Sequence, residues 1–208
     1  MKRETTDLLV KLVERYPRLV PYKDDILSAA ELMVGAFKKG KKLLLCGNGG
    51  SAADCNHITA ELLKNFRFKR NLPENLKKSL KNDEELLNGL EKGYPAISLV
   101  TNVPFMTAYM NDHDANFIFA QQVNVYGQEG DVLVAISTSG NSRNCVLAAK
   151  VAKAKNLKVV SLTGINESEL SSISDVTIKV PETETYKVQE LHLPIYHCLC
   201  AMIEMEME

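Results

Sequence analysis

Five short runs rich in apolar residues constrain this chain most: KLLLCG at 42–47, PAISLV at 95–100, DVLVAIS at 131–137, LKVVSLTG at 157–164 and DVTIKVP at 175–181. Runs of this length with little polar interruption read as strands buried on both faces, as in a parallel sheet. Helical patterns alternate with them, at 51–66, at 104–123 with a break near 111–113, at 144–156 and at 184–208. This succession predicts an α/β fold: a single domain over 1–208, an α-β-α sandwich around a five-stranded parallel sheet. Two helices precede it, at 5–15 and about 22–39, with stripes formed by Leu8, Leu9, Leu12 and Val13 and by Ile26, Ala29, Leu32, Met33, Ala36 and Phe37.

Residues 65–94 interrupt the alternation with a charged insertion. Its two short helical patterns, around NLKKSL and DEELLNGL, lack a core stripe, so it reads as a flap or an oligomer contact. Its Lys and Arg residues read as a solvated face.

Composition excludes several functions. The net charge of -1 over 208 residues gives no electrostatic case for nucleic acid or a membrane surface. No apolar run approaches the ~18 residues of a membrane span, and the start, MKRETTDLLVKLVERYP, has no signal-peptide apolar region. Cys46, Cys55, Cys145, Cys198 and Cys200 include no CxxC pair. Their odd number suits a reducing compartment, and they read as small buried hydrophobes in a cytoplasmic protein.

In a parallel sheet, ligands gather outside the carboxyl ends of the strands, so the loops after the first and third runs matter most. The first, Gly47-Asn48-Gly49-Gly50-Ser51-Ala52, opens a helix whose N-cap is expected at Ser51 or a nearby loop residue. Gly47, Gly49 and Ala52 fit the G-x-G-x-x-[GA] spacing of a dinucleotide site. That reading needs a carboxylate about 20 residues on, at the end of the second strand. The second strand ends SLVTN instead, and no GxxxxGK[ST] is present, so neither a nucleotide cofactor nor a P-loop is expected. Free backbone N–H groups and a helix dipole still suit an anion. The second loop clusters Ser137, Thr138, Ser139 and Ser142 around Gly140 at the start of another helix, a neutral cradle for a phosphate that must also leave.

The helix after the first loop places His57 and Glu61 four residues apart, hence on one face. The last helix offers Gln189, Glu190, His192 and His197. The two histidines point about 140° apart on a straight helix, so one site can hold only one of them, and spacing does not choose. Pro194 costs a helix interior ~3 kcal/mol, so this helix is expected to start shortly before it.

CGNGGSAADCNHITAEL, NDHDANFIFAQQV, GDVLVAISTSGNS and VQELHLPIYH, in that order, resemble the sugar isomerase (SIS) family over nearly the whole chain outside the insertion. The resemblance implies the SIS fold and aldose–ketose isomerisation of a phosphosugar. The substrate implied is sedoheptulose 7-phosphate, converted through an enediol to glycero-manno-heptose 7-phosphate. It selects His197 over His192, leaving His192 to packing or a subunit contact, and implies Glu61 as the base at carbon with His197 as its acid–base partner. Asn48, Gly49, Gly50, Ser51, Asp112 and Gln189 match positions near the sugar, while Ser137, Thr138, Ser139 and Ser142 match the phosphate pocket.

Some members carry zinc on positions matching His57, Glu61, Gln189 and His197. Gln is a poor zinc ligand, Gln189 and His197 are separated by ~12 Å of helix rise, and a metal-bound Glu61 is a weakened base. The resemblance also implies a homotetramer whose sites draw on more than one subunit, with the N-terminal helices of 1–40 suited to its packing. The competing expectation is a non-catalytic SIS protein, a sugar-phosphate sensor or a scaffold that binds the replication initiator. Such relatives tend to lose the acid–base pair, which Glu61 and His197 retain here.

Overall fold

The computed structural model describes residues 1–208. Helix α1 (Arg3–Arg15) leads through a 3-10 turn at Pro17–Tyr22 into α2 (Lys23–Lys38). Strand β1 (Leu43–Gly47) feeds α3 (Gly50–Leu63), and the insertion forms only α4 (Glu74–Ser79) and α5 (Glu84–Gly89). Then follow β2 (Ala96–Ser98), α6 (Val103–Asp112), α7 (Ile118–Tyr126), β3 (Val132–Ile136) and α8 (Arg143–Ala154). The chain ends with β4 (Lys158–Thr163), α9 (Glu169–Ile173), β5 (Val176–Lys179) and α10 (Thr185–Met207).

The five strands form one all-parallel sheet in the order β2-β1-β3-β4-β5. The pleat sorts each central strand between two cores. Leu43 and Leu45 join Val132, Val134 and Ile136 beneath α1, α2, α3 and α10, whereas Leu44, Cys46, Leu133 and Ala135 face α7 and α8. The expected sandwich follows, and β5, at the edge, is the one strand with only a single buried residue. Because β2 lies on one side of β1 and β3 on the other, the chain reverses direction across the sheet at β1 and β3. Their carboxyl ends flank the topological switch point.

Several expectations change. Most of the stripes of α1 and α2 pack into this chain's own core, with Leu9, Ile26 and Ala29 at most 1% exposed, while Leu8, Val13 and Leu32 are half-buried against it. Of the two N-cap alternatives for α3, the nearby loop residue holds: Gly49 caps the helix at φ 55°, and Ser51 is buried in the first turn. Pro194 lies well inside α10, which starts at Thr185. The insertion helices bury nothing, as expected, but the reading of every basic residue in 65–94 as solvated fails at Arg70. Its guanidinium is 0% exposed and meets Glu204 of α10 at 2.9 Å. All five cysteines are free and buried, and no helix is long and apolar enough to cross a membrane.

The two central strands start from one carboxylate. Asp131 accepts hydrogen bonds from Lys42 N (3.0 Å), Lys42 Nζ (2.6 Å) and Gln128 N (2.8 Å), and is 1% exposed. Asp131→Ala leaves a largely buried ammonium and two amides without acceptors. It is expected to cost about 3 kcal/mol, since breaking a buried pair leaves uncompensated charge; the urea midpoint of the variant against wild type measures this.

Candidate active site

Two loops build an anion cleft at the switch point. Gly47 ends β1 so close to the first turn of α3 that a Cβ there would lie 2.8 Å from the backbone oxygen of Ser51. The positive φ of Gly49 then turns its own N–H and that of Gly50 outward, and neither donates within the chain. In the loop after β3, Thr138 and Ser139 likewise keep free N–H groups. Gly140, at φ 67°, packs so tightly that a Cβ would sit 2.1 Å from Ser168 Oγ. A reciprocal amide pair, Asn48 with Asn144 at 2.9 Å in both directions, ties the two loops together.

Between them lies a cleft of about 380 Å³ lined by Asn48, Gly49, Gly50, Ser51, Ser137, Thr138, Ser142, Thr185 and Gln189. Ser137 Oγ and Ser142 Oγ meet at 2.8 Å, and Gln189 stands over Gly50, where a Cβ would lie 2.6 Å from its amide nitrogen. The donors are neutral, and two helix N-termini, those of α3 and α8, add their dipoles. Two expected residues are elsewhere. Ser139 faces outward, its Oγ accepting from Asn141 N at 3.2 Å, because the turn at Gly140 directs it away. Asp112 ends α6 in solvent, its carboxylate accepting from Asn111 at 2.9 Å, and lines neither this cleft nor the groove described next.

A second cluster forms where α3 and α10 pack. His57 Nε2 lies 3.2 Å from Glu61 Oε1 and 3.4 Å from His197 Nε2, and Lys64 Nζ donates to Glu61 Oε2 at 3.1 Å. His57 Nδ1 is held by the Tyr196 hydroxyl at 3.0 Å, and Phe66 stacks on the His197 ring. Burial, and then the neighbouring His57, hold the His197 imidazole below its ordinary range, with Glu61 opposing. His197 opens onto a groove of about 480 Å³ between α1 and α10, rimmed by Lys11, Arg15 and Arg67. Crossover geometry explains the arrangement. Helices returning from parallel strands all run against the sheet, so α3 and α10 both start at the anion cleft and carry the cluster ~9–15 Å along α3 and ~12 Å beyond Gln189 on α10.

The model of the SIS domain matches residues 13–164. The chain belongs to the SIS domain family. It is 40% identical to a phosphoheptose isomerase of Clostridium acetobutylicum over 186 residues, 89% of this chain and 84% of that one. A phosphoheptose isomerase of a Shewanella species is 39% identical over 184 residues, covering 87% of this chain and 83% of its own. Among solved structures, the phosphoheptose isomerase GmhA of Neisseria gonorrhoeae superposes with a TM-score of 0.74 at 32% identity, covering 94% and 92% of the two chains. The Francisella tularensis phosphoheptose isomerase gives 0.72 at 31% identity, covering 97% and 93%.

Two imidazole nitrogens and a carboxylate oxygen at 3.2–3.4 Å share ring protons between them as they stand, and their lone pairs are of the kind that could instead face a metal ion. The spacing matches the ligand edges of tetrahedral zinc at bonds of ~2.0–2.1 Å, and Tyr196 holds the outer nitrogen of His57 as a supporting partner does. As the side chains stand, no three His, Cys, Asp or Glu donors are placed to hold an ion together, so one would bind only with a changed side-chain arrangement. Gln189, the expected fourth ligand, lines the anion cleft rather than standing with the other three.

Sequence reasoning missed Tyr196, Asn144 and Thr185. Thr185 lies four residues before Gln189, on the same helix face, which is a usable signal. Tyr196 sits in an apolar helix and reads as core.

His192 is packing, as expected: it is 0% exposed, and Nε2 meets the Thr163 carbonyl at 3.3 Å. Burial pushes its imidazole down to about 4. The unfolded chain takes up a proton near 6.5 that the folded one refuses, so this stabilisation is complete above 6.5 and lost as pH falls toward 4. Unfolding in urea across that window is expected to show a loss of about 3 kcal/mol that is absent in His192→Gln.

Proposed function

We propose that this protein is an aldose–ketose isomerase that interconverts sedoheptulose 7-phosphate and glycero-manno-heptose 7-phosphate. The observation that carries the reading is the pairing of a neutral anion cleft with a carboxylate–imidazole cluster farther along the same two helices. That separation suits a long extended sugar whose phosphate and carbonyl ends lie far apart. The relatives named phosphoheptose isomerase, similar over most of both chains, support the same substrate.

In this reading the free N–H groups of both loops, with Ser137, Thr138 and Ser142, bind the phosphate, and Asn48, Gly49, Gly50, Ser51 and Gln189 orient the sugar. Glu61 removes the proton from the carbon beside the carbonyl, leaving an enediolate that becomes the enediol on taking a proton at oxygen. His197 moves the second proton between the two oxygens, a role suited to an imidazole whose lowered range keeps it neutral and able to accept. Return of the proton by Glu61 to the neighbouring carbon completes the interconversion. His57, held by Tyr196, orients Glu61. His57, Glu61 and His197 are the residues that would hold a zinc ion, which when bound supplies polarisation of the sugar oxygens. No nucleotide takes part.

The working unit is proposed to be a cytoplasmic homotetramer. Helix α6 supports this, since none of its residues is buried although it includes Val103, Phe105, Met106, Tyr109 and Met110. Asp112 ends that helix, where it would reach a neighbouring subunit's site.

Incubation with sedoheptulose 7-phosphate in deuterated water is expected to yield the aldose with deuterium at the carbon next to the carbonyl; no exchange and no aldose would refute the substrate. Glu61→Gln should lower kcat at least ~10²-fold, as removal of an acid–base group does. Wild-type turnover in that variant would reassign the base. For the metal, protein purified without chelator should contain zinc that His57→Ala lacks, read by elemental analysis; equal content in both would remove His57 from the ligands.

A further inference from the structure

We propose that Arg70, from the insertion, is a positioning residue that sets the geometry of the Glu61–His57–His197 cluster. It clamps the carboxyl end of α3 to α10. The inference rests on the reading of Glu61 and His197 as the acid–base pair.

The last carbonyls of a helix have no partner within it. In α3, two of these belong to Glu61 and to Leu62 beside it, and the Arg70 guanidinium takes both, Nη2 to the Glu61 oxygen at 3.0 Å and Nη1 to the Leu62 oxygen at 2.7 Å. Its third edge, Nε, donates to Glu204 Oε1 at 2.9 Å. Glu204 lies on α10 two turns beyond His197 and is itself 0% exposed. It also accepts from the backbone of Phe66 (2.9 Å) and Arg67 (2.8 Å), which fixes the chain that leaves α3 and seats Phe66 on the His197 ring. Tyr94, at the far end of the insertion, lies under the guanidinium at 4.6 Å and donates its own N–H to the Leu62 carbonyl.

One planar cation therefore joins the backbone of the proposed base to the helix of its partner, with each of its three nitrogens donating once. The positive charge also opposes the negative end of the α3 dipole, beside the residue that works as a carboxylate. Core packing alone could hold two helices together, but it would not fix the rotation of the last turn of α3, on which the Glu61 side chain depends. A fork of three bonds in one plane does. Lys cannot reproduce it, having a single nitrogen.

The test compares wild type with Arg70→Lys, Arg70→Met and the double variant Arg70→Met/Glu204→Met, by steady-state kinetics on sedoheptulose 7-phosphate and by thermal unfolding. Phosphate binding is built elsewhere, so Arg70→Lys should lower kcat ~10- to 10²-fold, the scale of a slightly misplaced reacting group, with KM within about twofold of wild type. An apolar pair often replaces a buried ion pair without loss of stability. The double variant should therefore regain the stability that Arg70→Met loses, without regaining kcat. Activity that tracks stability through the series, or wild-type kcat in any variant lacking Arg70, overturns the inference. Failure of every variant to fold makes Arg70 structural and overturns it too. Imidazole nitrogen spectra separate this from the functional reading. In Arg70→Lys the His57 and His197 signals should move while His192 stays, whether or not wild type turns over the sugar. Unmoved signals overturn the inference even in an active enzyme.

Discussion

Parallel strand pairing is the constraint from which the rest of this molecule follows. With every strand pointing the same way, each returning helix starts at the carboxyl edge, and its positive dipole end faces the same rim. The anion cleft is thereby assembled from backbone before any side chain is chosen. The same direction makes α3 and α10 near-parallel neighbours, so residues several turns along each can meet although they are 140 positions apart in sequence. Both halves of the site are consequences of one topological choice.

The division of labour between the halves follows from their chemistry. The cleft presents neutral N–H and hydroxyl donors, which suit a dianion without the strong charge pairing that slows release. The cluster instead gathers titratable groups in a partly buried setting, where a carboxylate and two imidazoles affect one another. Tyr196, buried and hydrogen-bonded to His57, keeps the outer ring nitrogen engaged so that only Nε2 faces Glu61 and His197.

Most of the fold was legible in the sequence because parallel strands announce themselves as apolar runs and the helices between them by period. The two loops were legible because glycine and hydroxyl clusters have few other uses at strand ends. What escaped depends on tertiary contacts that leave no local mark. Arg70 lies among FRFKR, indistinguishable by pattern from its solvated neighbours, and its partner Glu204 is one of three glutamates in MIEMEME. Pro194 inside α10 defied its propensity because the flanking helix is buried on several sides. Ser139 fell with its neighbours in composition but not in orientation, since it sits at the tip of the turn closed by Gly140 N and Ser137 O, where its hydroxyl meets Asn141 N instead of the cleft.

Gly140, in the loop after β3, also reaches beyond the cleft. Gly140 touches Ser168, its carbonyl accepts from Leu170 N at 3.1 Å, and Asn141 Oδ1 accepts from Glu169 N at 2.9 Å. The short helix α9, which contributes no residue to the cleft, is therefore the mould against which the anion loop is cast. Lengthening the connection between β4 and α9 would deform the donors from behind, so this outwardly ordinary surface turn is a poor place to graft a peptide or open the chain.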